Sequence, residues 1–98
     1  MNVDHDIPGH RFIVRMPEGE GSLVYAVAGP QLLDLLHTEV SPSLRGRGIA
    51  DALAGAAVNY ARRTGARIIP TCPFVRGWLA RHPENNDLLA ARPSRGAP

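Results

Sequence analysis

The sequence of 98 residues predicts an α/β fold, in which an antiparallel three-stranded meander leads into a β-α-β unit and a C-terminal helix. Three observations favour this fold. Short apolar runs separated by turns occupy the N-terminal part of the chain, and the apolar period then changes from about two to about 3.6 residues at Gly48. A short β-branched run follows this helical segment. The length suits a single domain.

The meander is predicted from three segments that are bounded by turns. Residues 11–16 alternate in hydrophobicity and are followed by a glycine-containing turn. The second strand covers residues 23–27 and the third covers residues 31–40, with Gly29 and Pro30 between them. Because both connections are short, neighbouring strands should be antiparallel.

The helical elements are predicted in the second half of the chain. Apolar residues recur at helical spacing from Ile49, and Gly65 is placed to end this helix. Residues 67–71 predict a buried strand that is parallel to the third strand, because a helical crossover separates the two. Pro73 then fits the first turn of a helix that runs to about Arg81.

We expect one domain over residues 1–98, with its core at about residues 11–90 and flexible termini. The polar residues 1–9 predict a frayed start, and residues 92–98 have the composition of a disordered tail. A last short turn is expected at residues 87–90.

Composition excludes several classes of protein. A hydrophobic fraction of 44% with 20% charged residues argues against intrinsic disorder, and the apolar stretches are too short to span a bilayer. No secretory signal opens the chain, so we expect a cytoplasmic protein without a membrane partner. Cys72 is the single cysteine, which excludes an internal disulfide and a Cys-rich zinc site. Asp4, His5, Asp6 and His10 match no spacing typical of a metal site, so we expect none.

The segment between the third strand and the first helix carries the most chemical information. The first amides of a helix lack partners inside it, and a phosphate group can accept their hydrogen bonds. Gly46 and Gly48 let the backbone approach an anion, and Arg45 and Arg47 add forked cationic donors. The segment matches neither the Walker pattern nor the dinucleotide fingerprint. It is therefore either an anion-binding turn or an ordinary corner between a strand and a helix.

Arg45-x-x-Gly48-x-Ala50 resembles the cofactor-binding motif of the GNAT acetyltransferase superfamily, Arg/Gln-x-x-Gly-x-Gly/Ala. Further segments at residues 37–40, 70–75 and 82–84 occur in the order found in the small single-domain GNAT-like N-acetyltransferase family (the YjdJ type). This resemblance extends from about Phe12 to Leu89. It implies a minimal GNAT-like fold, with acetyl-coenzyme A as the cofactor and an amine as the acetyl acceptor. The resemblance implies the following cofactor-binding residues: Thr38, Glu39, Val40, Arg45, Gly46, Arg47, Gly48, Ile49, Ala50 and Cys72.

Three residues are candidates for catalysis. His37 and Glu39 share one face of the third strand, because side chains alternate, and either could take a proton from the amine. The alternative is that they form a solvated strand end. Cys72 lies at a helix N-terminus, where the dipole favours a thiolate, and the resemblance implies that it faces the acetyl group. Its alternative role is that of a small buried core residue.

The expected function is therefore acetyl transfer from acetyl-coenzyme A to an amine of unknown identity, on a small molecule or a protein. The alternatives are a coenzyme A-binding module with little or no catalysis and, less favoured, a small Arg-rich nucleic-acid-binding protein. The net charge is only +2, and no basic tract with interleaved aromatics supports nucleic-acid binding. Only turns connect the first three predicted strands, so this chain offers no helix there to form a pocket for the acceptor. Either the acceptor docks on an open surface, or a second subunit of an oligomer completes the acceptor site.

Overall fold

The computed structural model describes residues 1–90, so the tail expected at residues 92–98 lies outside the described residues. One five-stranded sheet and two α-helices make up the fold. The strands are β1 (Asp4–Asp6), β2 (Arg11–Met16), β3 (Gly19–Gly29), β4 (Leu32–Val40) and β5 (Arg67–Pro70). The helices are α1 (Ile49–Thr64) and α2 (Pro73–Arg81), with 3-10 helices at Pro42–Leu44 and Pro83–Leu88.

The sheet has the strand order β1-β2-β3-β4-β5. Neighbouring strands are antiparallel from β1 to β4, whereas β4 and β5 are parallel and are joined through α1. This arrangement confirms the predicted α/β fold with its meander, its β-α-β unit and its C-terminal helix. Both α-helices lie within one residue of their predicted ends, since Gly48, Gly65 and Pro73 mark the boundaries.

The prediction of a frayed start at residues 1–9 is wrong for Asp4–Asp6, which forms β1 and adds a fourth strand to the meander. A tertiary contact holds this polar segment in place. The ring of His5 stacks on Phe12 with a centroid distance of 4.1 Å, and its Nε2 lies 2.7 Å from the Tyr25 hydroxyl. The ordered core therefore begins before residue 11.

Two further boundaries differ from the prediction. β3 begins at Gly19 and continues through the segment that was predicted to be a turn. Gly21 lies within this strand, next to α1. A Cβ at this position would lie only 2.7 Å from Cγ2 of Ile49, so glycine permits the close approach of the helix. The turn predicted at residues 87–90 is instead the end of the 3-10 helix at Pro83–Leu88, and Leu89 then bridges to β5.

One hydrophobic core lies between the sheet and the two helices. The strand residues that enter it alternate along β2, β3 and β4, which places both helices on the same face of the sheet. Leu53 of α1 is fully buried in this core. Truncating such a leucine to alanine costs about 2–5 kcal/mol of unfolding free energy, so packing at this position contributes strongly to holding α1 against the sheet.

Candidate functional site

A gap opens in the sheet where β4 and β5 part. The two strands pair only from Leu32↔Arg67 to Leu35↔Pro70, and residues 36–40 of β4 continue without a β5 partner. The N–H of Cys72 donates to the carbonyl of Leu35 at 2.8 Å, and the chain then turns into α2. The backbone of residues 36–40 therefore presents an open edge beside the start of α2.

A β-bulge at Leu36 decides which side chains face this gap. Tyr25 pairs with Leu35 and the preceding Val24 pairs with His37, so β4 contains one extra residue. Simple alternation would place His37 on the same face as the buried Leu35. The bulge instead turns Thr38 towards the helices, where its hydroxyl lies 3.4 Å from Sγ of Cys72.

A cleft of about 670 Å³ runs along the open edge of β4, and we call it the edge cleft. Five of the predicted cofactor-binding residues line it: Thr38, Glu39, Val40, Arg45 and Ala50. The other residues that line it were not among the predicted site residues: Arg11, Glu20, Gly21, Ser22, Ser41, Pro42 and Phe74. Ser41, Pro42 and Phe74 lie in segments that the sequence singles out, whereas those from β2 and β3 are distant in the chain and no local motif identifies them.

A second cleft of about 220 Å³ lies at the start of α1, and we call it the loop cleft. Its lining includes six of the predicted cofactor-binding residues: Val40, Arg45, Gly46, Gly48, Ile49 and Ala50. Leu44 and Asp51 complete it. Because Val40, Arg45 and Ala50 line both clefts, the two are continuous around the end of β4.

Several backbone N–H groups at the start of α1 have no hydrogen-bond acceptor within residues 1–90. Gly48 is the N-cap, with a left-handed φ of 77° and no side-chain capping bond. The N–H of Ala52 is the first to bond within the helix, donating to the Gly48 carbonyl at 3.0 Å. The N–H groups of Ile49, Ala50 and Asp51 come before it and have no protein acceptor within residues 1–90. This helix end can therefore donate several hydrogen bonds to an anion.

The two arginines of the loop have different surroundings. Nε of Arg45 donates to the carbonyl of Val40 at 3.3 Å, and Arg45 lines both clefts. Arg47 lines neither cleft, and its Nη2 lies 3.3 Å from Oε2 of Glu18 in the turn between β2 and β3. Glu18 was not a sequence candidate, because it lies 29 residues from Arg47 along the chain.

The three catalytic candidates lie on two sides of β4. Nε2 of His37 is 3.3 Å from Oε2 of Glu39, so the two side chains share one face of β4, as their spacing of two residues predicts. The bulge makes this the exposed face. Glu39 lines the edge cleft, whereas His37 does not. Cys72 is 3% exposed, is the N-cap of α2 and lies on the opposite face, beside Thr38. Although it was predicted to bind the cofactor, it lines neither cleft. The fold thus brings Cys72 to the gap but keeps it apart from the His37–Glu39 pair.

Two other kinds of site are absent from the described part of the chain. No group of three or more His, Cys, Asp or Glu side chains within residues 1–90 is arranged to hold a metal ion. Among the same residues, no helix is long and apolar enough to cross a membrane.

Comparison with known proteins identifies the family. The family described as GCN5-related N-acetyl-transferase matches residues 11–88. The chain belongs to this family. The match includes every cofactor-binding and catalytic candidate, since these lie between residues 37 and 72. It confirms the resemblance inferred from the glycine-containing loop and from the ordered segments on either side of it.

Individual relatives of this GCN5-related chain agree with the assignment. Protein NATD1 of Bos taurus is 34% identical over 85 residues, which is 85% of this chain and 75% of the relative. Protein NATD1 of Homo sapiens is 33% identical over the same shares of the two chains. The solution NMR structure of a GCN5-like protein from Staphylococcus aureus superposes with a TM-score of 0.72 at 22% identity, covering 96% of this chain and 92% of that one. The fold is therefore a GNAT-like fold.

Proposed function

We propose that this protein binds acetyl-coenzyme A along the two clefts and transfers its acetyl group to an amine. The observation that carries the proposal is the set of free amides at Ile49, Ala50 and Asp51, directly after a left-handed glycine. Apart from Gly48 and its two neighbours in the chain, no atom of residues 1–90 lies within 4 Å of the place where a Cβ of Gly48 would stand, so an anion has room to approach the backbone there.

The residues fit the parts of the cofactor. The loop cleft, with the free amides and Arg45, would hold the pyrophosphate, because helix N-termini and guanidinium groups both favour phosphate. The open backbone edge at residues 36–40 offers hydrogen-bonding groups of the kind that the amides in the pantetheine arm require. Bound there, the cofactor supplies an activated acetyl thioester.

The side chains beside the gap would transfer the protons that the reaction requires. An amine is protonated in neutral solution and must lose a proton before its nitrogen can attack a thioester. Glu39 lines the edge cleft and can accept this proton, and His37 at 3.3 Å can pass it to solvent. Cys72 lines neither cleft, but its Sγ lies 3.4 Å from the hydroxyl of Thr38, which lines the edge cleft. When the carbon–sulfur bond of the thioester breaks, the Cys72 thiol would give its proton to the departing thiolate through this hydroxyl, and it would regain a proton by the same route.

A melting experiment combined with a thioester assay tests this function. Acetyl-coenzyme A at millimolar concentration should raise the Tm, since a ligand that binds only the folded state stabilises it. Thioester consumption that depends on an added amine should accompany binding. Absence of a Tm shift would refute the proposal, whereas binding without consumption would reduce the protein to a coenzyme A-binding module. A shift with an oligonucleotide alone would favour the nucleic-acid alternative.

Variants separate binding from chemistry in the same assay. Glu39→Gln should lower the transfer rate about 100-fold or more, because the proton acceptor is lost. The Kd for acetyl-coenzyme A should change little, since the proposed contact of residues 36–40 with the cofactor is through the backbone, which the substitution keeps. Glu84→Gln, at an exposed glutamate in the 3-10 helix after α2, is the matched control. Cys72→Ala should also slow transfer. A full rate in Cys72→Ala would remove the thiol from the mechanism, and an acetyl adduct on Cys72 without amine would make it an acyl carrier.

A further inference from the structure

We propose that Glu18 sets the affinity for the cofactor by competing with its phosphate groups for Arg47. This inference rests on the proposed function, because it concerns the same phosphate-binding loop. Arg47 lies one residue before Gly48 but lines neither cleft, since its guanidinium is turned towards the Glu18 carboxylate at 3.3 Å. Glu18 is thus an internal anion that occupies a cation of the loop.

The turn that carries Glu18 is fixed against the loop by other contacts. The Ser43 hydroxyl donates to the carbonyl of Glu18 at 2.7 Å. The Ser41 hydroxyl donates to the carbonyl of Glu20 at 2.9 Å and accepts from the N–H of Glu20 at 2.9 Å. None of these bonds uses the carboxylate of Glu18. Replacing that carboxylate therefore changes the charge beside the loop without releasing the turn.

The ion pair itself is easily exchanged. The side chains of Arg47 and Glu18 are 45% and 47% exposed, so solvent screens their attraction and a pair of this kind contributes little. A polyphosphate carries more negative charge than one carboxylate and is a stronger partner for guanidinium. Binding of such a ligand must nevertheless displace Glu18 from Arg47 or tolerate its negative charge nearby. Either effect weakens binding.

Arg45 shows the contrasting arrangement in the same loop. It has no carboxylate within ion-pairing distance among the described residues, and it lines both clefts. The loop therefore contains one arginine, Arg45, without a carboxylate partner among the described residues, and a second, Arg47, that must leave Glu18 before it can bind a phosphate group. This division makes Glu18 a residue that tunes affinity, acting through Arg47.

The test measures the Kd for acetyl-coenzyme A by calorimetry. Glu18→Gln should tighten binding about two- to fivefold at low salt, as expected for a half-exposed charge pair. This gain should shrink in 1 M NaCl, because salt screens exposed charges. Glu84→Gln, which removes an equal charge far from the loop, should leave the Kd unchanged. An unchanged or weaker affinity in Glu18→Gln would overturn the inference.

A double variant tests the route through Arg47. Glu18→Gln combined with Arg47→Gln should return the Kd to about the wild-type value. The gain in Glu18→Gln comes from the released Arg47 guanidinium, and the double variant lacks this guanidinium as well as the Glu18 carboxylate. Full retention of the tighter binding in the double variant would exclude Arg47 as the route and overturn the inference. If the wild-type protein fails to bind acetyl-coenzyme A, the proposed function fails. If the wild type binds and Glu18→Gln brings no gain, only the role of Glu18 fails.

Discussion

The two ends of α1 are built in opposite ways, although each is marked by a glycine with a left-handed backbone. Gly48 and Gly65 have φ values of 77° and 76°. At the N-terminal end, the first amides of the helix have no acceptor within the described chain. At the C-terminal end, the Ala66 N–H donates to the carbonyl of Ala61 at 2.8 Å, and Gln31 Nε2 donates to the carbonyl of Thr64 at 3.2 Å.

Side chains reinforce the C-terminal end further. Nη1 of Arg62 donates to Asp87 at 2.9 Å, and its Nη2 donates to Oδ1 of the buried Asn85 at 2.9 Å. The hydrogen bond from Arg62 holds the pKa of Asp87 below its usual value. This end thus ties α1 to the 3-10 helix that closes the fold. The bonds at the C-terminal end of α1 thus serve stability, whereas the free donors at its N-terminal end are the groups that the proposed function assigns to a ligand.

The largest expected contrast comes from placing the same side chain at both ends. Gly48→Ala and Gly65→Ala should each lower the free energy of unfolding by about 1–2 kcal/mol, because alanine is strained in a left-handed conformation. Only Gly48→Ala should weaken acetyl-coenzyme A binding, about tenfold or more, since its Cβ intrudes where the phosphate approaches. Urea unfolding and calorimetry measure the two effects. Equal loss of affinity in both variants would break the comparison.

A smaller contrast is expected between two neighbouring asparagines near the C-terminal end of α1. Asn85→Ala should cost about 1–2 kcal/mol of unfolding free energy, because it removes the buried acceptor of Arg62. Asn86→Ala, at an exposed position, should cost less than about 0.5 kcal/mol. Neither should change the Kd for acetyl-coenzyme A. A changed Kd in Asn85→Ala would mean that this end also serves the ligand.

The smallest expected effect is a pH dependence that arises near the same end. Burial, and secondarily the charge of Arg63, lowers the pKa of His5, whose ring meets Tyr60 of α1 edge-on at 4.3 Å. The folded protein therefore binds this proton less readily than the unfolded chain does. Stability should be fully present above the ordinary histidine pKa of about 6.5 and should fall as the pH decreases below it.

Urea unfolding between pH 7.5 and pH 5.5 measures this slope. His5→Gln should flatten it, whereas His37→Gln, at an exposed histidine, should retain it. The lowered pKa values of Asp6 and Asp87 act only in more acidic solution, below the ordinary aspartate range, so they do not interfere. An undiminished slope in His5→Gln would show that another group carries the dependence.

The parts of the fold that sequence predicts well are those with local signals. Glycines at both ends of α1 and a proline at the start of α2 determine helix boundaries through their own backbone preferences. The glycine-containing loop is predicted for the same reason, since strand, loop and helix follow one another directly. The family resemblance rested on this local order as well.

The features that sequence did not predict depend on contacts between distant residues. β1 is polar in sequence and is ordered because His5 packs on Phe12 and Tyr25. The bulge at Leu36 has no glycine to mark it and appears only in the register against β3. The pairing of Glu18 with Arg47 arises because the turn after β2 docks on the loop. These contacts are set by packing of the whole sheet, which no local pattern encodes.

The proposed function depends most directly on the free amides at the start of α1, which would hold the phosphates of acetyl-coenzyme A. A titration followed by backbone amide NMR tests it residue by residue. The largest shifts should occur at Ile49, Ala50 and Asp51, while Ala66 and Arg67 beyond the other end of the helix should stay unchanged. Saturation of the protein with no shift at Ile49, Ala50 and Asp51 would show that the phosphates bind elsewhere.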